Sequence, residues 1–503
     1  MKRLNLWMLA AILSCSFFTI SCSEIDKPVP DPGLSKSIDE FWDLPGNAGD
    51  PEVVAALQSI KNVEDLKPFM NVKLGQCYYF NYNQMVDHND PSKGTFKQQV
   101  VLTFVGKDAP TLLHTQGYSL TNEANPNDIQ NRLDSIEAPH FLWALSKDNG
   151  KDKKFDLNCV QVEYRYNGFS LPEGDKDSFK YMTAEQQSKD LHAIVTDLKK
   201  ALITGDGKWL STGLSKNGDT TTQYAYFDEQ NGWNDIDVYV PFASPNILQE
   251  YDIRIGTYMI TKSSKDVQPL LEKAYKKLVD DQAVADATIE AYAKKGGKFK
   301  KDSALLTTVA AVLNNLFQVQ SYSDYNTWTK LIPKEGDKPE TYAKFFMLDP
   351  TSPEVKYKGA NARGPLHKRR TPYEVQNAME QGGAGFDYSW FLDGKLLSES
   401  DKKYLKDDIE KSKNSKTMDL QVNVRKNLET TTKKLIFVYG EDDPWTGAAI
   451  ADPTNPNVKK YIVPHGTHTD DFKKFARYPG GQEIVDKIMA DVKDILFSNN
   501  EEK

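Results

Sequence analysis

Strand and helix signals alternate along this chain from about residue 97 to 245, stop, and return after 430. "KQQVVLTFV", "PTLLHTQGY" and "NCVQVEYRY" read as strands rich in β-branched and aromatic residues. "TAEQQSKDLHAIVTDLKKAL" then places Leu191, Ile194, Leu198 and Ala201 on one helical face, with Thr183 as its start. "KWLST", a turn, and "IDVYVPFASP" follow as further strand signals. Alternation of this kind implies a mostly parallel sheet covered on both faces. Between 246 and 425 the signals are helical. "DVQPLLEKAYKKLVDDQAVADATIEAYAKK" reads as one long helix stopped at Gly296-Gly297. "SALLTTVAAVLNNLFQVQ" reads as another, with Ser303 as cap and Leu306, Val309, Leu313, Leu316 and Val319 as its apolar stripe. After 430 come two strands, "KKLIFVYG" and "KKYIVP", and an amphipathic closing helix, "GQEIVDKIMADVKDILF". A sheet pattern that resumes after about 180 residues describes one α/β domain, residues 46–245 and 426–503, carrying a helical cap insertion at 246–425.

The residues at the strand ends carry the chemistry. Gly213-Leu214-Ser215-Lys216-Asn217-Gly218 closes a strand and opens a helix, nearly the Gly-x-Ser-x-Gly of a nucleophile elbow, with Asn217 in place of the second glycine. Taken alone, the motif fits an ordinary turn as well as a nucleophile. An α/β-hydrolase fold orders its triad as serine, acid after a late strand, then histidine. "LIFVYGEDDPW" supplies Asp442 and Asp443 after a buried strand, and "YIVPHGTHTDDF" supplies His465 and His468 after the next. Oxyanion donors on this reading are the backbone N–H of Lys216 and one from Gly117 or Tyr118, in the turn after the second strand.

Other features bound the possibilities. A net charge of −8, with no basic cluster, argues against a nucleic-acid partner. The absence of CxxC and HExxH gives no indication of a metal site, and nothing calls for a cofactor or an obligatory protein partner. Lys2 and Arg3 before "LWMLAAILSCSFFTISC" read as a secretory signal over residues 1–22. Its end, Thr19-Ile20-Ser21-Cys22, is similar to a bacterial lipobox, with Cys22 as lipid acceptor and Cys15 as runner-up. Residues 23–45, with "KPVPDPG", read as an extended tether. Acidic residues after Cys22 resemble the surface-export signal of Bacteroidetes lipoproteins. The expected location is the bacterial cell envelope, lipid-anchored at the outer membrane and facing outward. Cys77 and Cys159 remain as a disulfide candidate in an oxidising compartment.

"NQMVDHNDPSKGTFKQQV", "LLHTQGY", "VEYRYNGFSLP", "TAEQQSKDLHAIV", "WLSTGLSKNGDT", "FVYGEDDPW" and "GTH" occur in one order that resembles the S37 serine peptidases, the PS-10 family. The resemblance covers about 75–245 and 430–475. It implies an α/β-hydrolase fold and an aminopeptidase that releases tripeptides from free N-termini. Its Gly-x-Ser-Lys-Gly-Gly fits Ser215, Lys216 and Gly218 and departs at Asn217. Its Asp-Pro-Trp selects Asp443 over Asp442, and its Gly-Asn-His selects His468 over His465, with Thr467 a second departure. An aminopeptidase also needs a carboxylate for the substrate's α-ammonium, and the acidic residues of 246–425 offer many. His88 and His114 read as structural, Glu163 and Arg165 as a buried pair supporting the fold, and His140, His192 and His367 have no evident partner. Two readings compete with the exopeptidase. Asn217 motivates a degenerate relative that binds peptides without cleaving them, and acyl chemistry alone admits an ester substrate.

Overall fold

The computed structural model describes residues 48–71, 74–115, 120, 156–167, 169–172, 180–246, 254, 258, 268–294, 332–346, 415–468 and 470–497. Among them nine strands form one sheet: β1 (Val63–Asn71), β2 (Gly75–Met85), β3 (Thr95–Thr103), β4 (Thr111–Thr115), β5 (Asn158–Val162), β6 (Trp209–Leu214), β7 (Val238–Phe242), β8 (Lys434–Gly440) and β9 (Val458–Val463). Their order is β1-β2-β3-β5-β4-β6-β7-β8-β9. The first three strands are antiparallel, as is the β3/β5 pair, and every pair from β5 to β9 is parallel. β4 lies inside β5, so the chain crosses back before running outward through β6 to β9.

Alternate residues of each strand feed two cores, as a two-residue period requires. On one face Phe80, Leu102, Leu113, Val160, Trp209, Tyr239 and Phe437 pack with α1 (Pro51–Ser59), α2 (Ala184–Ala201) and α3 (Lys216–Asn231). The α2 stripe expected at Leu191, Ile194 and Leu198 is buried there, and Thr183 caps the helix through the Gln186 N–H at 3.2 Å. On the other face Tyr79, Val101, Leu112, Leu210, Val240 and Val438 pack with the closing helix Gly481–Phe497 through Ile488, Met489 and Val492. This is a mostly parallel, doubly covered sheet with a strand–turn–helix at its centre, an α/β-hydrolase fold.

The chain divides into two compact units, of which residues 29–255, 372–384 and 412–503 form the one that holds the sheet. The sequence pattern assigns 412–425 to the insertion, but the helix Ser415–Asn427 contacts α3, so the sheet unit begins again earlier than that pattern suggests. In the other unit, the single long helix expected before Gly296 is two helices, Gln268–Asp280 and Gln282–Lys294. Asp281 divides them: its carboxylate accepts the Ala283 N–H at 3.0 Å and so caps the second helix. The second helix contacts Pro339–Phe346, which buries Tyr342, Phe345 and Phe346. The stretch around 303–320 lies outside the described residues, as do residues 1–45 with Cys15 and Cys22.

Candidate active site

Ser215 stands at the junction of β6 and α3 with φ 59° and ψ −120°, left-handed backbone that a side-chain-bearing residue rarely adopts. Its N–H donates to the Phe242 carbonyl of β7 at 2.9 Å, and its own carbonyl accepts the Asp219 N–H at 2.9 Å, which starts the helix. The turn closes so tightly that a Cβ on Gly213 would lie 2.6 Å from the backbone carbonyl and Cβ of Asn217. A Cβ on Gly218 would lie 2.4 Å from the Phe242 carbonyl oxygen. Asn217, by contrast, is accommodated: it is 6% exposed, and its Cβ occupies room that Gly213 leaves. The steric demand of the elbow therefore falls on Gly213 and Gly218, and the departure at 217 is absorbed. Ser215 is half-buried, and its hydroxyl makes no hydrogen bond among the described residues.

Asp443 and His468 are brought together by the ends of β8 and β9. A Cβ on Gly440 would lie 2.4 Å from the Gly466 carbonyl oxygen, so only glycine permits the two turns to approach this closely. The Asp442 N–H donates to that same carbonyl at 2.8 Å. Asp443, fully buried, accepts the Trp445 N–H on one oxygen at 3.0 Å and meets His468 Nδ1 with the other at 2.8 Å. His468 is 7% exposed, and the Trp445 ring lies 5.9 Å from its own. The neighbouring candidates pair less closely, with His465 Nδ1 3.6 Å from Asp442. Glu441, Asp442 and His465 also form a group that could hold a metal ion, their ligand atoms within 4.8 Å of one another. The sequence gives no sign of it, because the three converge only once β8 and β9 are paired.

Lys216, the first residue of α3, offers its backbone N–H at the positive end of the helix dipole. The other expected donors, Gly117 and Tyr118, lie outside the described residues. Their flanks are held. The Thr115 hydroxyl lies 2.9 Å from the Asn217 carbonyl and 2.7 Å from the Thr221 hydroxyl, tying β4 to the elbow helix. The Leu120 N–H donates to Glu163 at 2.7 Å.

The expected Glu163–Arg165 pair does not form. Glu163 instead accepts from Leu120, Phe169 and Ser170, ordering the chain after β5. Arg165, fully buried, forks onto Asp190 of α2 at 2.6 and 2.8 Å and donates to the carbonyls of Met85, Val86 and Tyr181. His88 completes this structural group, its Nε2 2.7 Å from Asp190. His192 gains a partner in Asp235 at 2.7 Å and stacks on Trp233. His114 is buried within β4, while His140 and His367 lie outside the described residues. Cys77 and Cys159 are free and buried, not bonded: each pairs with Thr103 from opposite sides, which sets them two strands apart. Two such intervals span about 10 Å, beyond disulfide reach.

Behind the serine, α3 carries groups that the motif does not advertise. Asp219, buried, accepts from Gln223 at 3.0 Å and from Gln421 at 3.3 Å. Gln421 also accepts from Asn246 at 3.0 Å, so one side chain links the chain after β7, the helix Ser415–Asn427 and the elbow helix. Burial raises the Asp219 carboxyl and lowers the Lys216 ammonium, and each group opposes the other's shift through its charge.

The family model of PS-10 peptidase S37 matches residues 54–138 and 145–455. A prolyl tri/tetrapeptidyl aminopeptidase of Streptomyces mobaraensis is 25% identical over 400 residues, covering 78% of this chain and 74% of the relative. Among solved structures, a proline iminopeptidase of Mycobacterium smegmatis aligns over 83% of this chain and 98% of its own, at 12% identity and a TM-score of 0.38. The peroxisomal alpha-beta-hydrolase Lpx1 of Saccharomyces cerevisiae aligns over 85% and 91%, at 9% identity and a TM-score of 0.37.

Proposed function

Because this chain belongs to the PS-10 peptidase S37 family and is a serine peptidase, we propose that it is an exopeptidase releasing short peptides, tripeptides first, from free N-termini through a Ser215–His468–Asp443 triad. The observation that carries the reading is the 2.8 Å bond between buried Asp443 and His468 Nδ1, the pairing a general base needs. In the proposed mechanism His468 Nε2 takes the Ser215 proton as the hydroxyl attacks the scissile carbonyl. Asp443 holds the ring in the required tautomer and steadies the imidazolium. The oxyanion is received by the Lys216 N–H and by a donor from Gly117 or Tyr118, and His468 then returns the proton to the leaving amine. Release of tri- or tetrapeptides is supported by the likeness to the Streptomyces mobaraensis relative, a prolyl tri/tetrapeptidyl aminopeptidase.

Product analysis by mass spectrometry tests this reading. The purified protein is incubated with unblocked and N-acetylated peptides, with Ser215→Ala in parallel. Tripeptides arising only from unblocked chains, and only with the intact serine, are the expected result. Cleavage of acetylated peptides overturns the N-terminal specificity. Failure to cleave any peptide, with turnover of p-nitrophenyl esters, favours the esterase. We also propose that Cys22 carries a lipid that holds the protein at the outer membrane, facing outward. Cys22→Ala should then move it to the soluble fraction, and a variant that stays with membranes refutes the anchor.

A further inference from the structure

Lys216 is buried to 1% exposure at the start of α3. Its ammonium lies 5.1 Å from the centre of the Tyr164 ring, which is fully buried two residues beyond β5. Between those two attachment points runs β4: Thr115 is in register with Val162 of β5, and His114 with Thr212 of β6. Neighbouring strands stand about 4.8 Å apart, so the side chain crosses the carboxyl end of β4 to reach the far strand. That strand end is where this fold gathers the oxyanion of an acyl-transfer intermediate, between the N–H after the nucleophile and the turn after β4. The buried cation thus lies within one side chain's reach of the oxyanion donor that Lys216 itself carries.

A methionine would fill the same channel without the desolvation cost of an ammonium, so packing alone does not account for a lysine here. One turn further into the helix, Asp219 supplies the counter-charge, held by Gln223 and Gln421. Its place farther along the helix leaves the positive end of the pair toward the elbow. We infer that the Lys216 side chain is a positioning residue for the oxyanion. Its ammonium holds a positive field at the carboxyl end of β4, where negative charge develops in the transition state and not in the bound substrate. It works without touching the substrate, and Asp219 keeps it charged.

The inference rests on the serine peptidase mechanism proposed above, and its test separates the two. Wild type, Lys216→Met, Lys216→Arg and Asp219→Asn are compared as full chains. The readouts are fluorophosphonate labelling, kcat and KM on a cleaved peptide, affinity for a peptide boronic acid, which binds as a tetrahedral anion, and thermal midpoint. Lys216→Met should lower kcat and boronate affinity together, by roughly ten- to a hundredfold, with KM within about threefold. Lys216→Arg should recover most of both, and Asp219→Asn should lose part of both. A Lys216→Met enzyme whose boronate affinity equals that of the wild type overturns the inference, whatever its thermal midpoint. If Lys216→Met does not fold, Asp219→Asn decides: unchanged boronate affinity there overturns the inference equally. A wild type that neither labels nor cleaves refutes the peptidase mechanism itself, whereas an active wild type beside an equally active Lys216→Met refutes only the role of the lysine.

Discussion

A Cβ on Gly213 has nowhere to go: the backbone and Cβ of Asn217 stand 2.6 Å from where it would be. Because Ser215 already sits at φ 59°, the turn has no slack with which to move away. Gly213→Ala should therefore reduce fluorophosphonate labelling of Ser215 by at least about a hundredfold, by displacing the hydroxyl and the Lys216 N–H, the proposed oxyanion donor, together. Asn217→Gly, which restores the motif common in the family, should stay within a few-fold of wild type. It gives up the burial of Asn217 and costs only a few tenths of a kcal/mol in helix propensity, since asparagine is itself a poor helix former. A Gly213→Ala protein that labels at the wild-type rate would show that the elbow has room the geometry denies. Asn217 is therefore not in itself a sign of degeneration. The residue that departs from the pattern is not the residue under steric load.

Elements explain which parts of the fold the sequence announced. β4, β6, β8 and β9 are short apolar runs followed by glycine or a polar cluster, a local signal that also places Ser215, Asp443 and His468 at strand ends. β1 gave no such signal. Its sequence, VEDLKPFMN, is buried only at Phe69 and Asn71, contains Pro68 and bends at a register shift between Glu64 and Lys67, all marks of an edge strand. β2 is buried on both faces, so its aromatic run lacks alternation. Nor could local pattern disclose pairings between distant residues, such as Arg165 with Asp190 or Gln421 with Asp219, 202 positions apart. Those pairings join elements, and their loss should be felt as stability. Arg165→Met strips the guanidinium from Asp190 and from the Met85, Val86 and Tyr181 carbonyls, leaving a buried carboxylate with only His88 and Gln98 beside it. Breaking a buried pair on one side typically costs about 3–5 kcal/mol. A thermal midpoint lowered by several degrees, measured by circular dichroism, is the expected outcome. An unchanged midpoint would mean that α2 is held to β2 and β5 without this group.

Across the whole molecule, the sheet interior holds groups whose ionisation the fold opposes. Burial pushes the Cys77 thiol up to about 12 and raises Cys159 further. Burial likewise raises the phenols of Tyr79, Tyr82 and Tyr439 well above their ordinary range. These residues belong to β2, β5 and β8, so the effect is spread across the sheet. The sign follows from proton binding. Below about pH 9 both folded and unfolded chains keep these protons, and the groups do not make stability depend on pH. From about pH 9 the unfolded chain loses its thiol protons, and from about pH 10 its phenolic ones, while the folded chain retains both. Each such group lowers stability by about 1.4 kcal/mol per pH unit within its window. The denaturant midpoint should therefore fall steeply between pH 9 and 10.5. Replacing both cysteines by alanine should flatten the first part of that fall while leaving the tyrosine part. Thiol-reactive dyes should modify neither cysteine in the folded protein at pH 8 and both after unfolding. Fast modification under native conditions would mean that β2 and β5 open far more readily than a doubly covered sheet should.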